Sequence, residues 1–506
     1  MTRVLKSAPE AATWLQGLGV IRLVCDSREV RAGDAFVAWP GAAHDGRRFV
    51  NAALRAGAAA CLVEHDGIDL WGFTDPRIAA VPGLKAMAGP VAHAFLHEPS
   101  HSLPVVAITG TNGKTSTAWW AAQWLGAAGR GAAVIGTLGI GRPGAALAAT
   151  GLTTPDPVRV AQALSTFGSE GLQAVVIEAS SIGIEEGRLN GTRIHTAVFT
   201  NFTQDHLDYH GTMEAYWQSK RALFDWPDLS AVVVSLDDPR GVELAQALAP
   251  QAQAGQLDLW TVSNHNANAR LRADALTWTA QGMAFSVIEG EQREALSLPV
   301  VGEYNVTNLL CALAVLRVQG VGLVDAVAAS RALTPVPGRM QSAWPQGPEA
   351  LPLVLVDYAH TADALEKALT ALQPVAAERG GRLWCVVGCG GDRDRTKRPL
   401  MAAAAEREAS RLILTSDNPR SEDPLSILHQ MQAGLTEPMR AIIEPDRAQA
   451  IAQAVQQADA RDVILLAGKG HEDYQDIAGE KRPFSDAAVA HRALQQRARA
   501  WQEAQS

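Results

Sequence analysis

Residues 105–116 read Val-Val-Ala-Ile-Thr-Gly-Thr-Asn-Gly-Lys-Thr-Ser. An apolar, strand-like run feeds a glycine-bearing turn that ends in Lys-Thr, and a helix-compatible run follows at once. That order builds a phosphate cradle: loop N–H groups and a helix N-terminus face an anion, and Lys114 adds a positive charge. Thr115 offers a hydroxyl suited to Mg²⁺. The cradle comprises Gly110, Thr111, Asn112, Gly113, Lys114, Thr115 and Ser116. The general pattern G-x-x-x-x-G-K-[ST] places its first glycine at position 108, where this chain has Ile108. A Gly-Lys-Thr turn that only caps a helix is the competing reading; the strand–loop–helix context favours a nucleoside triphosphate.

Further chemistry-bearing residues follow apolar runs at 353–356, 383–387, 411–415 and 463–467. They are Asp357-Tyr-Ala-His360, Gly388-Cys-Gly-Gly-Asp-Arg393, Ser416-Asp-Asn-Pro-Arg420 and Gly468-Lys-Gly-His-Glu472. Helix-compatible stretches, such as 362–372 and 447–458, lie between the runs. Such alternation predicts a parallel sheet with helices on both faces, whose ligands sit at the carboxyl ends of the strands. Asx-Pro pairs also favour turns, and a turn is compatible with a site. The central part repeats the logic, with runs at 105–109, 132–135, 174–178, 196–200 and 231–235. Glu178 ends one of them, either as a solvated strand-end carboxylate or beside the phosphate loop. By spacing alone Lys220 is an exposed helix lysine. Asn305 and Asn308 share a face if Asn305 opens a helix, or Asn305 caps that helix and Asn308 is incidental.

These elements belong to a chain of 506 residues, enough for two to four domains. Polar, proline-flanked residues 97–104 and Pro/Gly-rich residues 333–352 oppose regular structure and place boundaries at 1–103, 104–338 and 339–506. Apolar residues make up 47% and charged residues 19%, as in globular domains with their own cores. A net charge of −9 argues against non-specific nucleic-acid binding. The five cysteines, Cys25, Cys61, Cys311, Cys385 and Cys389, form no C-x-x-C pair and suit a reducing compartment, with Cys385 and Cys389 read as buried thiols. The first 25 residues lack an apolar core, and no apolar run reaches the ~18 residues of a membrane span. A soluble, cytoplasmic, monomeric protein that binds neither nucleic acid nor membrane is expected.

Five motifs in order resemble the Mur ligases, the ATP-dependent amide-forming enzymes of peptidoglycan assembly. They lie at 110–115, 200–210, 302–308, 357–360 and 468–472, so the resemblance covers essentially the whole chain. It implies an α/β fold of three domains: an N-terminal α/β uridine-nucleotide domain, a central P-loop-type ATPase domain and a C-terminal Rossmann-like domain. It implies ATP and Mg²⁺, with Lys114 along the phosphates, Asn305 near adenine and Asp357 at ribose. Catalytic roles fall on Lys114, Lys220 and His206, and metal contacts on Thr115, Glu178, His206 and Lys220, the last as a carbamate. A UDP-muramoyl dipeptide would meet Ser27, Ala42, Ala43 and His44 in the first domain, and Thr153, Thr154, Ser180, Glu186 and Arg188 in the second.

Asp417-Asn418-Pro419-Arg420 resembles the family's motif for meso-diaminopimelate. That amino acid differs from lysine by one distal carboxylate, which an arginine fork such as Arg420 reads well. The resemblance leaves Asp417 and Asn418 for the distal ammonium, Arg393 for the other end, and Gly468 and Glu472 to complete the set. Two departures stand out: Ser180-Ser181-Ile182 replaces the frequent Ser-Ser-His, and Glu186 replaces a polar amide. A carboxylate at 186 would repel an anionic substrate unless paired. The implied chemistry is phosphorylation of a carboxylate to an acyl phosphate, then attack by the amine. Folylpolyglutamate synthase shares the loop, but neither a separate first domain nor Asp417–Arg420. A lysine-adding ligase lacks only the distal arginine logic. A GTPase switch would require an Asn-Lys-x-Asp sequence, which is absent.

Overall fold

The computed structural model describes residues 2–41, 44–279, 282–344 and 351–503. They form two compact units. The first contains Met1–Phe202, Tyr209–Leu271 and Leu310–Ala332. Its five-stranded sheet runs Arg3–Val4, Ile78–Val81, Ala60–Glu64, Asp34–Ala38, Arg22–Val24, all parallel. Its second sheet centres on Val105–Thr109. Ala174–Glu178 and Ala132–Gly136 lie on one side, Thr196–Phe199, Ala231–Ser235 and Asp258–Ser263 on the other, again parallel. Strands covered on both faces must be apolar throughout, which is why these read as continuous Val/Ile/Ala runs.

Register decides what meets at the carboxyl edge. Ile108 pairs with Glu178 and Thr109 with Phe199. The loop after Thr109 therefore emerges between Glu178 and Thr200. The helix Lys114–Ala127 continues from it and is buried around most of its circumference, so its pattern shows no clean amphipathic stripe. Trp124 Nε1 donates to the Ala326 carbonyl (2.6 Å).

The second unit contains Thr203–Asp208, Arg272–Leu309 and Leu333–Ser506. Its six-stranded sheet runs Gln341–Ser342, Leu353–Asp357, Val463–Ala467, Leu383–Val387, Arg411–Leu414, Ala441–Ile443, and only the first pairing is antiparallel. Helices Ala362–Glu378, Lys397–Glu408 and Pro424–Gln432 cover one face. Arg447–Gln457 and Asp486–Glu503 cover the other. The alternation read from the sequence is thus a doubly covered parallel sheet. The last strand in sequence, Val463–Ala467, sits between the first two long ones and brings residues 468–472 to the middle of the edge.

Two readings change. Residues 97–104 are not irregular throughout, because Pro99–Ser102 makes one helical turn with Pro99 at its first position, where a missing N–H costs nothing. The stretch 333–352 contains the short strand Gln341–Ser342, while residues 345–350 lie outside the described residues. An antiparallel hairpin, Tyr474–Ile477 with Glu480–Pro483, was not anticipated, since its polar composition hides the pairing. The cysteines behave as expected: Cys61, Cys311, Cys385 and Cys389 are buried and no disulfide forms among the described residues.

One backbone approach in the first unit bears on the site. A Cβ on Gly89, in the helix Leu84–Phe95, would overlap the Asn190 carbonyl, and Gly191 abuts Gly89 and Pro90 in return. Lys85, on the same helix, lies 2.7 Å from Glu186 in the facing segment. Gly89→Ala is expected to lower stability by about 1–3 kcal/mol through overpacking, read as a fall in thermal midpoint. A midpoint equal to the parent's would show that the contact is slack.

Candidate active site

The phosphate loop is held from behind by the segment after Thr196–Phe199. Thr111 N–H donates to the Asn201 carbonyl (2.8 Å) and Asn112 N–H to Asn201 Oδ1 (2.9 Å). Thr200 Oγ1 and Asn201 Nδ2 donate to the Asn112 carbonyl at 2.6 and 3.1 Å. Lys114 Nζ folds onto the loop and donates to the carbonyls of Gly110 (2.9 Å) and Thr111 (2.8 Å). Lys220, on the helix Met213–Arg221, donates to the same Gly110 carbonyl at 2.7 Å and lies over the Tyr216 ring. Its exposure is 1%, so the spacing-based reading of an exposed lysine is wrong. The helix turns this residue inward, which periodicity in a nine-residue helix cannot reveal. Two ammonium groups on one carbonyl form an electrostatic trap for an anion.

Glu178 is 2% exposed and is not a solvated carboxylate. Its Oε2 accepts from Thr115 Oγ1 (2.9 Å) and Thr137 Oγ1 (3.1 Å), and its Oε1 from Thr137 N–H (2.8 Å). A buried carboxylate beside a hydroxyl is a hard oxygen set that fits Mg²⁺. No His/Cys/Asp/Glu cluster of three or more forms a cage among the described residues, and Mg²⁺ is commonly held by one or two carboxylates plus phosphates. His206 belongs to the short segment Thr203–Asp208 of the second unit, has φ +52°, and lies 3.4 Å from the Asp205 carboxylate.

The muramoyl set divides. Thr153 Oγ1 lies 3.1 Å from Thr137 Oγ1, whose own hydroxyl proton goes to Glu178. Thr154 Oγ1 donates to the Glu178 carbonyl (2.7 Å) and accepts from Ser180 N–H (3.0 Å). Ser180 Oγ caps the helix Ser181–Glu185, and Arg188 Nη1 donates to the Thr154 carbonyl (3.0 Å). These residues thus form one hydrogen-bonded chain leading to Glu178. Ser27 sits half-buried in a single 3₁₀ turn, and His44 is exposed with its carbonyl accepting from Gly41 N–H (2.9 Å). Ala42 and Ala43 lie outside the described residues. Glu186 meets the condition set by its charge: Lys85 lies 2.7 Å away and Tyr209 donates at 2.8 Å. The Lys85 bond holds its carboxyl below the usual range. Against the same helix as Ile182, His210 contacts Ser181 Oγ (2.9 Å) and Glu185 (3.1 Å).

In the second unit, Asn305 lies inside the first turn of the helix Tyr304–Val318. Its Nδ2 donates to the Val301 carbonyl (2.7 Å), and its Oδ1 accepts from Asn308 Nδ2 (3.0 Å). The capping reading fails, and the two asparagines share a face. The Asp357 carboxylate accepts N–H bonds from Met340 (2.8 Å) and Ala359 (2.9 Å), while burial pushes its pKa up.

Residues 417–420 and 468–472 come together. A Cβ on Gly468 would sit 2.6 Å from Asp417 Oδ2. Asn418 Nδ2 donates to Glu472 Oε2 (2.7 Å). Pro419 lies between Asn418 and Arg420 and contributes its carbonyl, which accepts from Glu422 N–H (3.0 Å). Arg420 has φ +50° and is pinned by the unanticipated hairpin: its N–H donates to Asp476 O (2.9 Å), its carbonyl accepts from Ala478 N–H (2.7 Å), and its Nη1 donates to Gly391 O (2.6 Å). A non-glycine residue held in this region marks a constrained site. Arg393 is exposed in the neighbouring loop.

Several supporting residues escaped the sequence reading. Arg447 and Asp486, both 0% exposed, form a two-point ion pair (2.6 and 2.7 Å), and Arg447 also donates to the carbonyls of Ser416 and Ala467, one residue before each loop. Buried Arg398 grips Glu422 (2.8 and 3.0 Å) and the Gly390 carbonyl (3.1 Å). Their signal in the sequence is weak, because charged residues on helices read as solvated. The Arg398 bond lowers the Glu422 pKa to about 2. A depressed carboxyl contributes stability that is present above its unfolded value and lost as pH falls through its folded one. Glu422→Gln is therefore expected to be less stable than the parent at pH 7, with the gap closing between pH about 4.5 and about 2. Denaturant melts across that range test it; a gap that is constant with pH would refute the coupling.

Three family models match in succession: a Mur ligase family catalytic domain at 21–89, a Mur ligase middle domain at 108–316, and a Mur ligase glutamate ligase domain at 338–470. A protein of Acidovorax sp. (strain JS42) named UDP-N-acetylmuramoyl-L-alanyl-D-glutamate–2,6-diaminopimelate ligase is 53% identical over 500 residues, 97% of this chain and 98% of that protein. A solved structure with the same enzyme name is 34% identical, covers 95% of each chain and superposes with a TM-score of 0.64. Folylpolyglutamate synthase of Mycobacterium tuberculosis covers 81% of this chain and 95% of its own at 19% identity and a TM-score of 0.60, a likeness of fold.

Proposed function

Because the chain belongs to the Mur ligase family, we propose that it joins meso-diaminopimelate to the D-glutamate of UDP-N-acetylmuramoyl-L-alanyl-D-glutamate, using ATP, in peptidoglycan precursor synthesis. The observation that carries the amino-acid choice is the meeting of Asp417, Asn418, Arg420, Gly468 and Glu472, which two strand ends some fifty residues apart bring together, with Asn418 donating to Glu472 and Gly468 packed on Asp417. Near-full-length identity to the diaminopimelate-adding relative supports the same reading.

Carboxylate and amine do not condense unaided. The dipeptide carboxylate oxygen takes the γ-phosphoryl group of ATP, and ADP leaves. The amine nitrogen attacks the resulting acyl phosphate, a tetrahedral intermediate forms, and phosphate and a proton depart. Lys114 leaves the Gly110 and Thr111 carbonyls to meet the phosphates, and the loop N–H groups supply fixed donors. Mg²⁺, held by Thr115 and Glu178 with His206 at a second ion, would neutralise phosphate charge. Lys220 carries a carbamate on this reading, formed when Nζ adds to CO₂ and loses a proton, which turns a buried cation into an anion. Asn305 holds adenine and Asp357 the ribose. Ser27, Ala42, Ala43, His44, Thr153, Thr154, Ser180, Glu186 and Arg188 serve the UDP-muramoyl dipeptide, and Arg393 the near end of the amino acid. The domains run 1–103, 104–338 and 339–506, and the enzyme works as a cytoplasmic monomer. No helix among the described residues is long and apolar enough to cross a membrane.

Lys114→Ala is expected to cut kcat by at least about a hundredfold, as loss of preorganised transition-state donors does, with an unchanged thermal midpoint. Arg420→Ala should raise KM for meso-diaminopimelate about tenfold or more, the loss of one charged bidentate contact, while KM for ATP holds. Phosphate release that is equal with lysine and with meso-diaminopimelate would overturn the substrate choice. For Lys220, an intact-mass gain of one CO₂ on a bicarbonate-equilibrated sample is expected; its absence there, with no carboxylate rescue of Lys220→Ala, removes the carbamate.

A further inference from the structure

The loop after Val463–Ala467 contains a lysine to which the proposed reaction gives no task. Lys469 is 0% exposed. Its Nζ donates to Asn418 Oδ1 (3.0 Å) and to Glu472 Oε2 (2.9 Å). The Asp476 N–H donates to the same Asn418 oxygen (3.0 Å). An ammonium and a peptide N–H offer only donors, so the amide atom they meet must be oxygen. The amide nitrogen is thereby turned to Glu472, whose Oε2 receives it at 2.7 Å. Without Lys469 the amide keeps one backbone donor on its oxygen, and Glu472 loses the cation that makes its burial tolerable. Gln475 Nε2, donating to the Asp417 carbonyl (2.8 Å), and the Arg420–hairpin bonds hold the loop's backbone but leave this amide untouched.

We propose that Lys469 is a positioning residue for amino-acid selection. It fixes which end of the Asn418 amide faces outward and keeps the Glu472 carboxylate beside it, so that this strand end presents N–H donors to a distal carboxylate and a carboxylate to an ammonium. This rests on the assignment of 417–420 and 468–472 to meso-diaminopimelate, but it moves Asn418 from the distal ammonium, which the resemblance gave it, to the distal carboxylate, because its oxygen is already engaged by Lys469 and by the Asp476 N–H. With the ammonium gone, only the Asp476 N–H and Glu472 still orient the amide, so the turned form, with its oxygen toward the guest carboxylate, gains population. That contact is repulsive for meso-diaminopimelate and immaterial for lysine, which has no distal carboxylate. Specificity is such a difference between two guests.

The test compares Lys469→Met and Lys469→Arg with the parent enzyme, each with meso-diaminopimelate and with lysine. For Lys469→Met, KM for meso-diaminopimelate is expected to rise about tenfold, the loss of roughly one charged hydrogen bond. The ratio of kcat/KM for meso-diaminopimelate over lysine should fall by a similar factor, and KM for ATP and for the UDP-dipeptide should stay within about twofold. Lys469→Arg, which keeps donors and charge, should recover most of the ratio. An unchanged ratio, or an equal rise in all three KM values, overturns the proposal. If Lys469→Met does not fold, Lys469→Met/Glu472→Gln leaves no lone buried charge and is read against Glu472→Gln alone. Equal selectivity in those two likewise overturns it, and a lower ratio in the double variant supports it. A parent enzyme that does not use meso-diaminopimelate would instead bring down the underlying assignment.

Discussion

Lys114 and Lys220 both donate to the carbonyl of Gly110, and much of the first unit exists to make that possible. Two cations do not gather on one neutral oxygen without help. The register that sets Ile108 against Glu178 and Thr109 against Phe199 delivers the loop to a fixed point on the sheet edge. Asn201 then ties the loop's amides, and Glu178, tied to Thr115 and Thr137, stands at the end of the adjoining strand as negative charge. On the proposed reading the ammonium groups exchange carbonyl partners for phosphate oxygens, since an anion satisfies them better than a carbonyl can.

The second unit uses a different economy of charge: three of its cations are already compensated by carboxylates. Arg447 with Asp486, Arg398 with Glu422, and Lys469 with Glu472 each neutralise a buried or half-buried cation beside a loop of the amino-acid set. Breaking such a pair leaves a desolvated charge, which costs more than the pair contributes. The loops are thus held in fixed positions, as the proposed discrimination between guests that differ by one carboxylate requires.

The departure at Glu186 follows the same rule. A carboxylate where the family resemblance leads one to expect an amide is tolerable here because Lys85 and Tyr209 engage it. Lys85 stands on the same helix as Gly89, where Gly89 and Gly191 let the two backbones touch. A change of charge at one position and a close approach at another therefore belong to one contact between segments.

The order of apolar runs and polar strand ends was enough to determine a doubly covered parallel sheet, because period and composition are local properties. It was enough, too, to place the strand–loop–helix unit around residues 110–115, whose geometry depends on residues adjacent in the chain. The resemblance carried by five ordered motifs extended this to the family and to the residues that meet at 417–420 and 468–472. The burial of Lys220 and Glu178, the inward-facing asparagine pair, the pairing of Glu186, the hairpin that pins Arg420 and the tasks of Lys469, Arg398 and Arg447 were decided only by tertiary structure. Each depends on a partner tens of residues away or more, or on which side of a helix faces inward, and a charged residue bears no mark of the partner that will neutralise it.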